Sequence, residues 1–172
     1  MKNEEMLSAL YSTTVAAKAC GAKPKKVTNH ISLKHIPTDR KASGSGTGHE
    51  LTGYTIIRMA LFFEISRAMK FGQASRVIWP EEKTNEKTMT DAVTIAVERY
   101  GKVTKTLLAN VAAPVQLVVF PGKTWPEWAG DIISAGSRAE SVLYWDKPLS
   151  ITVSISHAVK TVIEYLRTLD TA

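Results

Sequence analysis

Two short helical patterns that flank a glycine constrain the fold of this chain more than any other feature of its sequence. Ser12 or Thr13 can cap the first helix, and Gly21 can end it in the left-handed conformation that glycine tolerates. The second helix is predicted to begin at Pro24, because the missing N–H of a proline costs nothing at the first helical position. The chain therefore contains a helix, a tight turn and a second helix within about twenty residues.

The second helix has an apolar side and a basic side. Val27 and Ile31 lie four residues apart and are expected to face the core. The positions predicted to face outward are Lys25, Lys26, Thr28, Asn29 and Ser32. A short helix with a polar, cationic outer face has the size and charge that suit a DNA major groove.

A segment rich in glycine and serine follows this helix. Residues 38–48 offer few side chains for a core, so we predict a hairpin, or wing, with Ile36 on one arm and Leu51 or Tyr54 on the other. A flexible linker between domains is the alternative interpretation. Residues 55–71 then repeat apolar positions at three- and four-residue intervals, which predicts a long helix. Thr55 would cap this helix and Gly72 would terminate it.

Positive charge is concentrated in the same part of the chain. The protein carries a formal charge of +6. Residues 1–76 contain 12 Lys and Arg against 5 Asp and Glu, whereas residues 77–172 contain 10 against 11. This asymmetry is expected of a DNA-binding module joined to a neutral domain. A solvated basic face without a partner is the alternative.

The second half has mixed patterns after a charged run at residues 80–87, where we place a domain boundary. The predicted elements are helices at 89–100, 102–112 and 157–169, a strand at 116–120, and a hairpin of strands at 142–145 and 151–155. The apolar stripe of the last helix either packs on the small sheet or meets its copy in a dimer. Trp125, Trp128 and Trp145 either fill the core or line a pocket for a small-molecule effector.

Other chemistry has weak support in the sequence. His30, His35, His49 and Cys20 match no compact metal signature, and we predict neither a metal site nor a cofactor. The glycine-rich segment lacks the Gly-Lys-Ser/Thr ending of a phosphate-binding loop, and Ser156-His157 lacks a nucleophile-elbow motif. We therefore do not expect an enzyme. Cys20 has no partner for an internal disulfide and there is no apolar run long enough for a membrane span, so we expect a soluble cytoplasmic protein.

Several short motifs carry a resemblance to a known family. Residues 23–30 read Lys-Pro-Lys-Lys-Val-Thr-Asn-His, Ile36-Pro37 follows them, and Tyr54-Thr55 precedes the helix that is predicted to end at Gly72. In this order they resemble the MerR-type winged helix-turn-helix of bacterial and phage transcription regulators. That family commonly has Ser-Pro-Lys-Thr-Leu-x-x-Trp in its second helix, followed by a Leu-x-Pro exit. The resemblance covers residues 13–78.

The match is incomplete. Lys23 stands where the family usually has a Ser or Thr cap, and His30 stands where an aromatic is common. Nothing in the second half matches the dimerisation helix or the metal-binding cysteines of the mercury sensors. Metal sensing is therefore not implied.

The resemblance and the chemistry together predict an α+β protein with two domains, a winged helix-turn-helix at residues 1–79 and an assembly or effector domain at 80–172. The expected function is that of a sequence-specific DNA-binding transcription regulator that acts as a homodimer. The candidate DNA-binding residues are Lys23, Lys25, Lys26, Thr28, Asn29, Arg40, Lys41 and Arg58. Alternatives are an excisionase-like protein that bends DNA, or a module that binds acidic protein partners.

Overall fold

The computed structural model describes residues 3–40, 48–81, 83–103, 115–121, 128–134 and 151–170. Within these ranges the protein is mostly helical and has two small antiparallel sheets, which confirms the α+β class. The helices are α1 (Asn3–Ser8), α2 (Thr13–Ala19), α3 (Pro24–Ser32), α4 (Gly53–Ile65), α5 (Phe71–Ile78), α6 (Lys83–Val103) and α7 (Ile155–Asp170). The strands are β1 (Leu10–Ser12), β2 (Glu50–Thr52), β3 (Val115–Pro121), β4 (Trp128–Ser134) and β5 (Ile151–Ser154).

The termini of α2 and α3 follow the predictions. The Ser12 hydroxyl accepts a hydrogen bond from the backbone N–H of Val15, and Gly21 has a φ of 62°. Pro24 is the first residue of α3. Lys34, just past the end of α3, also has a positive φ of 57°, and the N–H of His35 donates to the carbonyl of His30. Together with the Lys34 N–H bond to Ile31, this is the Schellman arrangement that terminates many helices.

The segment after α3 returns to the helices through a small sheet. β1 pairs antiparallel with β2, and an isolated bridge joins Arg40 to Glu50 on the other edge of β2. The Asp39 carboxylate accepts a hydrogen bond of 2.7 Å from the backbone N–H of Thr52. We call Asp39, Arg40 and β2 the stem. The predicted tip, residues 41–47, lies outside the described residues.

The long helix predicted at residues 55–71 is two helices, so this prediction was wrong in its boundaries. The Thr52 hydroxyl accepts from the N–H of Thr55, so that Thr52 and not Thr55 is the cap of α4. The helix ends at Ile65. Beyond Ser66, the N–H groups of Arg67 and Ala68 bond to carbonyls three residues back and tighten the chain into a turn. Gly72 lies inside α5 and terminates nothing.

The charged run after Pro80 is also different from the prediction, because it is largely helical. α6 begins at Lys83 and includes the residues that were expected to form an irregular boundary. An ion pair four residues apart, Lys87–Asp91 at 2.6 Å, is typical of an exposed helical face. The predicted helix at 102–112 is described only to Val103.

The second sheet has the order β4–β3–β5, with both pairs antiparallel. The predicted strands at 116–120 and 151–155 are present and pair with each other, whereas β4 was not predicted. The predicted strand at 142–145 lies outside the described residues, as do Trp125 and Trp145.

α7 packs against α4, α6 and β3. Its predicted stripe of Val159, Val162, Ile163 and Leu166 is buried, while Leu169 is exposed. This stripe is therefore covered by the protein itself and does not form an open surface for a second copy.

Buried side chains of both halves form one cluster that extends from Met6 to Leu166. The predicted boundary near residue 80 falls between α5 and α6, but the core continues across it. Among the helices that the structure describes, none is both long enough and apolar enough to cross a membrane.

The start of α4 lies unusually close to α1, which yields a test of this packing. A Cβ atom added at Gly53 would lie 2.7 Å from the Cα of Leu7, whereas one added at Gly72 would meet nothing within 4 Å. We expect Gly53→Ala to lower the free energy of unfolding by about 1–3 kcal/mol, because backbone must move. Gly72→Ala, also inside a helix, should raise it by about 0.5–1 kcal/mol. Urea denaturation of both variants makes the comparison, and equal stabilisation of the two would contradict the close approach.

Candidate nucleic-acid interface

The outer face of α3 is polar, positively charged and exposed. Lys23, Lys25, Lys26, Thr28 and Asn29 are all exposed, as the sequence predicted. Pro24 makes this face regular from its first residue, because its ring fixes a helical φ and removes an N–H that would have no partner there. The Thr28 hydroxyl donates to the carbonyl of Pro24 at 3.2 Å, which leaves its oxygen free to accept.

The opposite face of α3 is buried and aromatic. Val27, Ile31 and His30 have relative exposures of 0%, 8% and 6%. The ring of His30 lies 5.3 Å from that of Phe62 in α4 and 4.3 Å from that of Phe71 in α5. α3 is therefore fixed by one side, and its rotation about its own axis is set by these contacts.

His30 is also adjacent to another histidine. Its Nδ1 lies 3.2 Å from the Nδ1 of His35, so one ring donates and the other accepts. Burial lowers the pKa of His30 below its ordinary value of 6.5, and the positive charges of His35 and Lys26 lower it further. His30 is therefore a buried core side chain. The sequence indicated only that it stands where the resembled family commonly has an aromatic.

Lys26 extends the basic surface from α3 to the turn between α4 and α5. Its Nζ lies 4.9 Å from the ring centroid of Phe63 and 5.7 Å from that of Phe71. Such cation–π contacts hold the side chain along this edge. The α4–α5 turn carries Arg67 and Lys70, both exposed. Sequence reasoning missed these two cations, since it placed them inside one continuous helix.

The stem adds one more predicted cation. The Arg40 side chain is 68% exposed and lies 3.5 Å from the Glu50 carboxylate. A surface pair of this kind contributes little to stability, so the guanidinium can exchange this partner for another anion. Lys41 lies outside the described residues.

Arg58 does not lie on this surface, and its burial does not favour the predicted contact with a nucleic-acid backbone. Its side chain is only 11% exposed. The guanidinium bonds to both oxygens of Glu86 in α6, at 2.5 and 2.6 Å, and to the carbonyl of Ile78. These hydrogen bonds lie inside the protein and connect α4 to α5 through Ile78 and to α6 through Glu86.

Cys20 and the residue types that ligate metals are the other candidates for chemistry among the described residues. The Cys20 thiol donates to the carbonyl of Ile56, and burial raises its pKa to about 12, so it is a packing residue and not a reactive thiolate. Within the described ranges, no three His, Cys, Asp and Glu side chains come together in a way that could hold a metal ion.

The buried His30 generates a pH prediction. Because its pKa is lowered in the folded protein, the unfolded chain binds a proton at higher pH than the folded one does. The contribution of His30 to the free energy of unfolding should therefore be constant above about pH 7.5 and should fall as the pH drops below about 6.5. Urea denaturation at a series of pH values measures this slope.

His30→Phe should remove much of that slope, since a phenyl ring fills the site and does not titrate. His157→Gln is the matched control, because His157 is exposed on α7 and should leave the slope unchanged. An identical slope in wild type and His30→Phe would show that this histidine is not the cause.

Comparison with known protein families gives no matching family, and no curated protein matches the chain. The interpretation of this surface therefore rests on the position, exposure and charge of its own side chains.

Proposed function

We propose that the protein is a sequence-specific regulator of transcription that binds double-stranded DNA through a winged helix-turn-helix. In this proposal α2 and α3 form the helix-turn-helix, and the stem with residues 41–47 forms the wing. The observation that supports it most is the division of α3 into two faces. Val27, His30 and Ile31 anchor one face, and an uninterrupted polar and cationic face is left exposed.

The exposed side chains of α3 suit the major groove chemically. Asn29 offers a donor and an acceptor that match the edge of adenine, and Lys25 can reach a guanine edge or a phosphate. The oxygen of Thr28 can accept from a cytosine or adenine amino group. Lys23, one residue before the helix, is at the end where backbone N–H groups favour a phosphate.

The flanking cations suit the phosphate backbone. Lys26 lies over the Phe63 ring, next to the α4–α5 turn that carries Arg67 and Lys70, and Arg40 lies on the stem. Contacts to phosphate fix register and orientation without reading sequence. In the proposed complex these residues, together with the predicted cation Lys41, supply the salt-dependent part of the affinity.

A homodimer is the assembly that this proposal favours. One α3 reads few base pairs, and two copies related by a twofold axis would read an inverted repeat with half-sites about one helical turn apart.

Selection of bound sequences from a random DNA pool tests the function. We expect enrichment of one motif, arranged as an inverted repeat if the protein binds as a dimer. An unenriched pool, with only the weak binding expected of any basic surface, would reject sequence-specific recognition and favour a module that binds acidic partners. A selected site that is strongly bent without an effect on transcription would favour the excisionase-like alternative.

Substitutions on α3 should have different effects on affinity and on its salt dependence. Asn29→Ala should cost about 1–3 kcal/mol on the selected site and reduce discrimination at one base pair. Lys25→Ala should weaken binding to all sequences alike if Lys25 contacts phosphate, and lower the salt slope by about one unit. Fluorescence anisotropy at several salt concentrations measures both.

Lys160→Ala is the matched control for these variants. Lys160 is exposed on α7, in the second half of the chain. Its substitution by alanine removes the same charge as Lys25→Ala and leaves α3 unaltered. Equal losses of affinity in Lys160→Ala and Lys25→Ala would mean that net charge, and not the face of α3, determines binding.

A further inference from the structure

A cavity of about 750 Å³ lies beside α3, between the end of that helix, the segment that follows it, His49 and α5. The volume is within the range of about 300–1,000 Å³ that is common for small-molecule sites. The side chains that determine its chemistry are Lys34, His35, His49, Ser75, Arg76 and Trp79. The cavity adjoins the outer face of α3 at Ser32, but the candidate DNA-binding residues Lys23, Lys25, Lys26 and Asn29 do not line it.

The walls of the cavity are held in place by contacts within the protein. The Ser75 hydroxyl donates to the backbone carbonyl of His35 at 2.8 Å and so connects α5 to the segment after α3. Trp79 contacts two residues of α4. The Cζ of Arg58 lies 5.6 Å from the centroid of its ring, and the ring centroid of Phe62 lies 5.8 Å from it. A site with walls of this kind exists before its ligand arrives.

Among the lining residues that the structure describes, cations outnumber carboxylates. Lys34 and Arg76 contribute two cations, and Glu81 contributes one carboxylate. Lys34 has a left-handed backbone at a position where glycine is the usual residue. A lysine in this conformation costs more than a glycine would, yet it directs a positive charge to the cavity rim.

Two further groups indicate what else the ligand contacts. The Nδ1 atom of His49 is buried and has no hydrogen-bond partner within the part of the chain that the structure describes. A buried ring nitrogen of this kind is costly unless something bonds to it. Trp79 adds an aromatic ring that can pack against a planar group.

We propose that this cavity binds a small molecule that has a planar aromatic ring and an anionic group. The anion lies between Arg76 and Lys34 and the ring packs on Trp79. A turn of the His49 ring, which lines the cavity, brings its buried Nδ1 to a polar atom of the ligand. This inference goes beyond the proposed function and does not depend on it, because the ligand is recognised by side chains outside the α3 face.

Nuclear magnetic resonance titration of the full-length protein, without DNA, tests the site. Adenosine 5′-monophosphate and naphthalene-2-sulfonate are the probes, because each combines a planar ring with an anion. We expect at least one of them to shift the Trp79 indole N–H signal, assigned by its loss in Trp79→Phe, and the His49 amide signal. For the nucleotide, binding should be about tenfold tighter than that of inorganic phosphate or adenosine alone.

A pair of arginine variants separates this site from general charge effects. Arg76→Gln should weaken binding of the probe by about tenfold, because it removes a charge-assisted contact. Arg167→Gln is the matched control, since Arg167 is exposed on α7 and does not line the cavity, and its effect should stay within about twofold. Circular dichroism checks that both variants are folded.

The proposal would be overturned by three results. One is the absence of any shift with both probes at about 10 mM, which corresponds to no useful affinity. Another is equal binding of inorganic phosphate and the nucleotide, which would mean that the ring contributes nothing. The last is an equal loss in Arg167→Gln and Arg76→Gln. None of these results bears on DNA binding, which is measured separately.

Discussion

The packing of α3 by one side onto α4 and α5 is the constraint on which the rest of the proposed interface depends. His30 contacts the rings of Phe62 and Phe71, and Val27 and Ile31 complete the buried side. A nine-residue helix has little intrinsic stability in water, so tertiary contacts must hold it. Because these contacts fix the helix in rotation, they also decide which of its side chains meet solvent. The exposed lysines are thus a consequence of the apolar spacing as much as of the basic composition.

The same core joins the two halves of the chain. α7, near the end of the sequence, packs on α4, and Arg58 of α4 forms an ion pair with Glu86 of α6. A partly buried guanidinium of this kind requires its carboxylate, since an unpaired charge at this depth is strongly unfavourable. The surface that carries α3 is consequently supported by residues from more than a hundred positions further along the chain. Any force on α3 is transmitted to a core that both halves share.

Local signals were read correctly from the sequence, and signals that depend on packing were not. Ser12, Gly21 and Pro24 define helix ends through short-range chemistry, and each lies where it was predicted. The sequence predicts Thr55 as the cap of α4, whereas Thr52 is the cap. Which of the two hydroxyls can accept a bond from the first turn depends on where β2 ends. Arg58 looks like any other basic residue in one dimension. Its partner Glu86 is 28 positions away, in a run that had no apolar pattern to mark it as a helix.

The candidate site shows the same division. The exposure of Lys25 and Asn29 follows from helical spacing, which the sequence contains. The sequence gives no sign of Arg67 and Lys70 as surface cations, because the apolar periodicity continues through the break between α4 and α5. The break is visible only in the backbone hydrogen bonds of the turn. The cavity beside α3 could not have been found from the sequence, since its lining comes from three separate segments. Lys34, His49 and Trp79 have no common motif and meet only in the folded protein.

The pairing of β1 with β2 closes the chain around α2 and α3. Leu10 is opposite Thr52, so the stretch between them, which includes α2 and α3, is a closed loop fastened at its base. A ring of this length loses little more entropy on closure than a shorter one would, but it can close only after the intervening residues exist. β1 therefore holds the two ends of the segment that contains α2 and α3 together. A fragment that starts at α2 would contain both helices and lack the strand that fastens them.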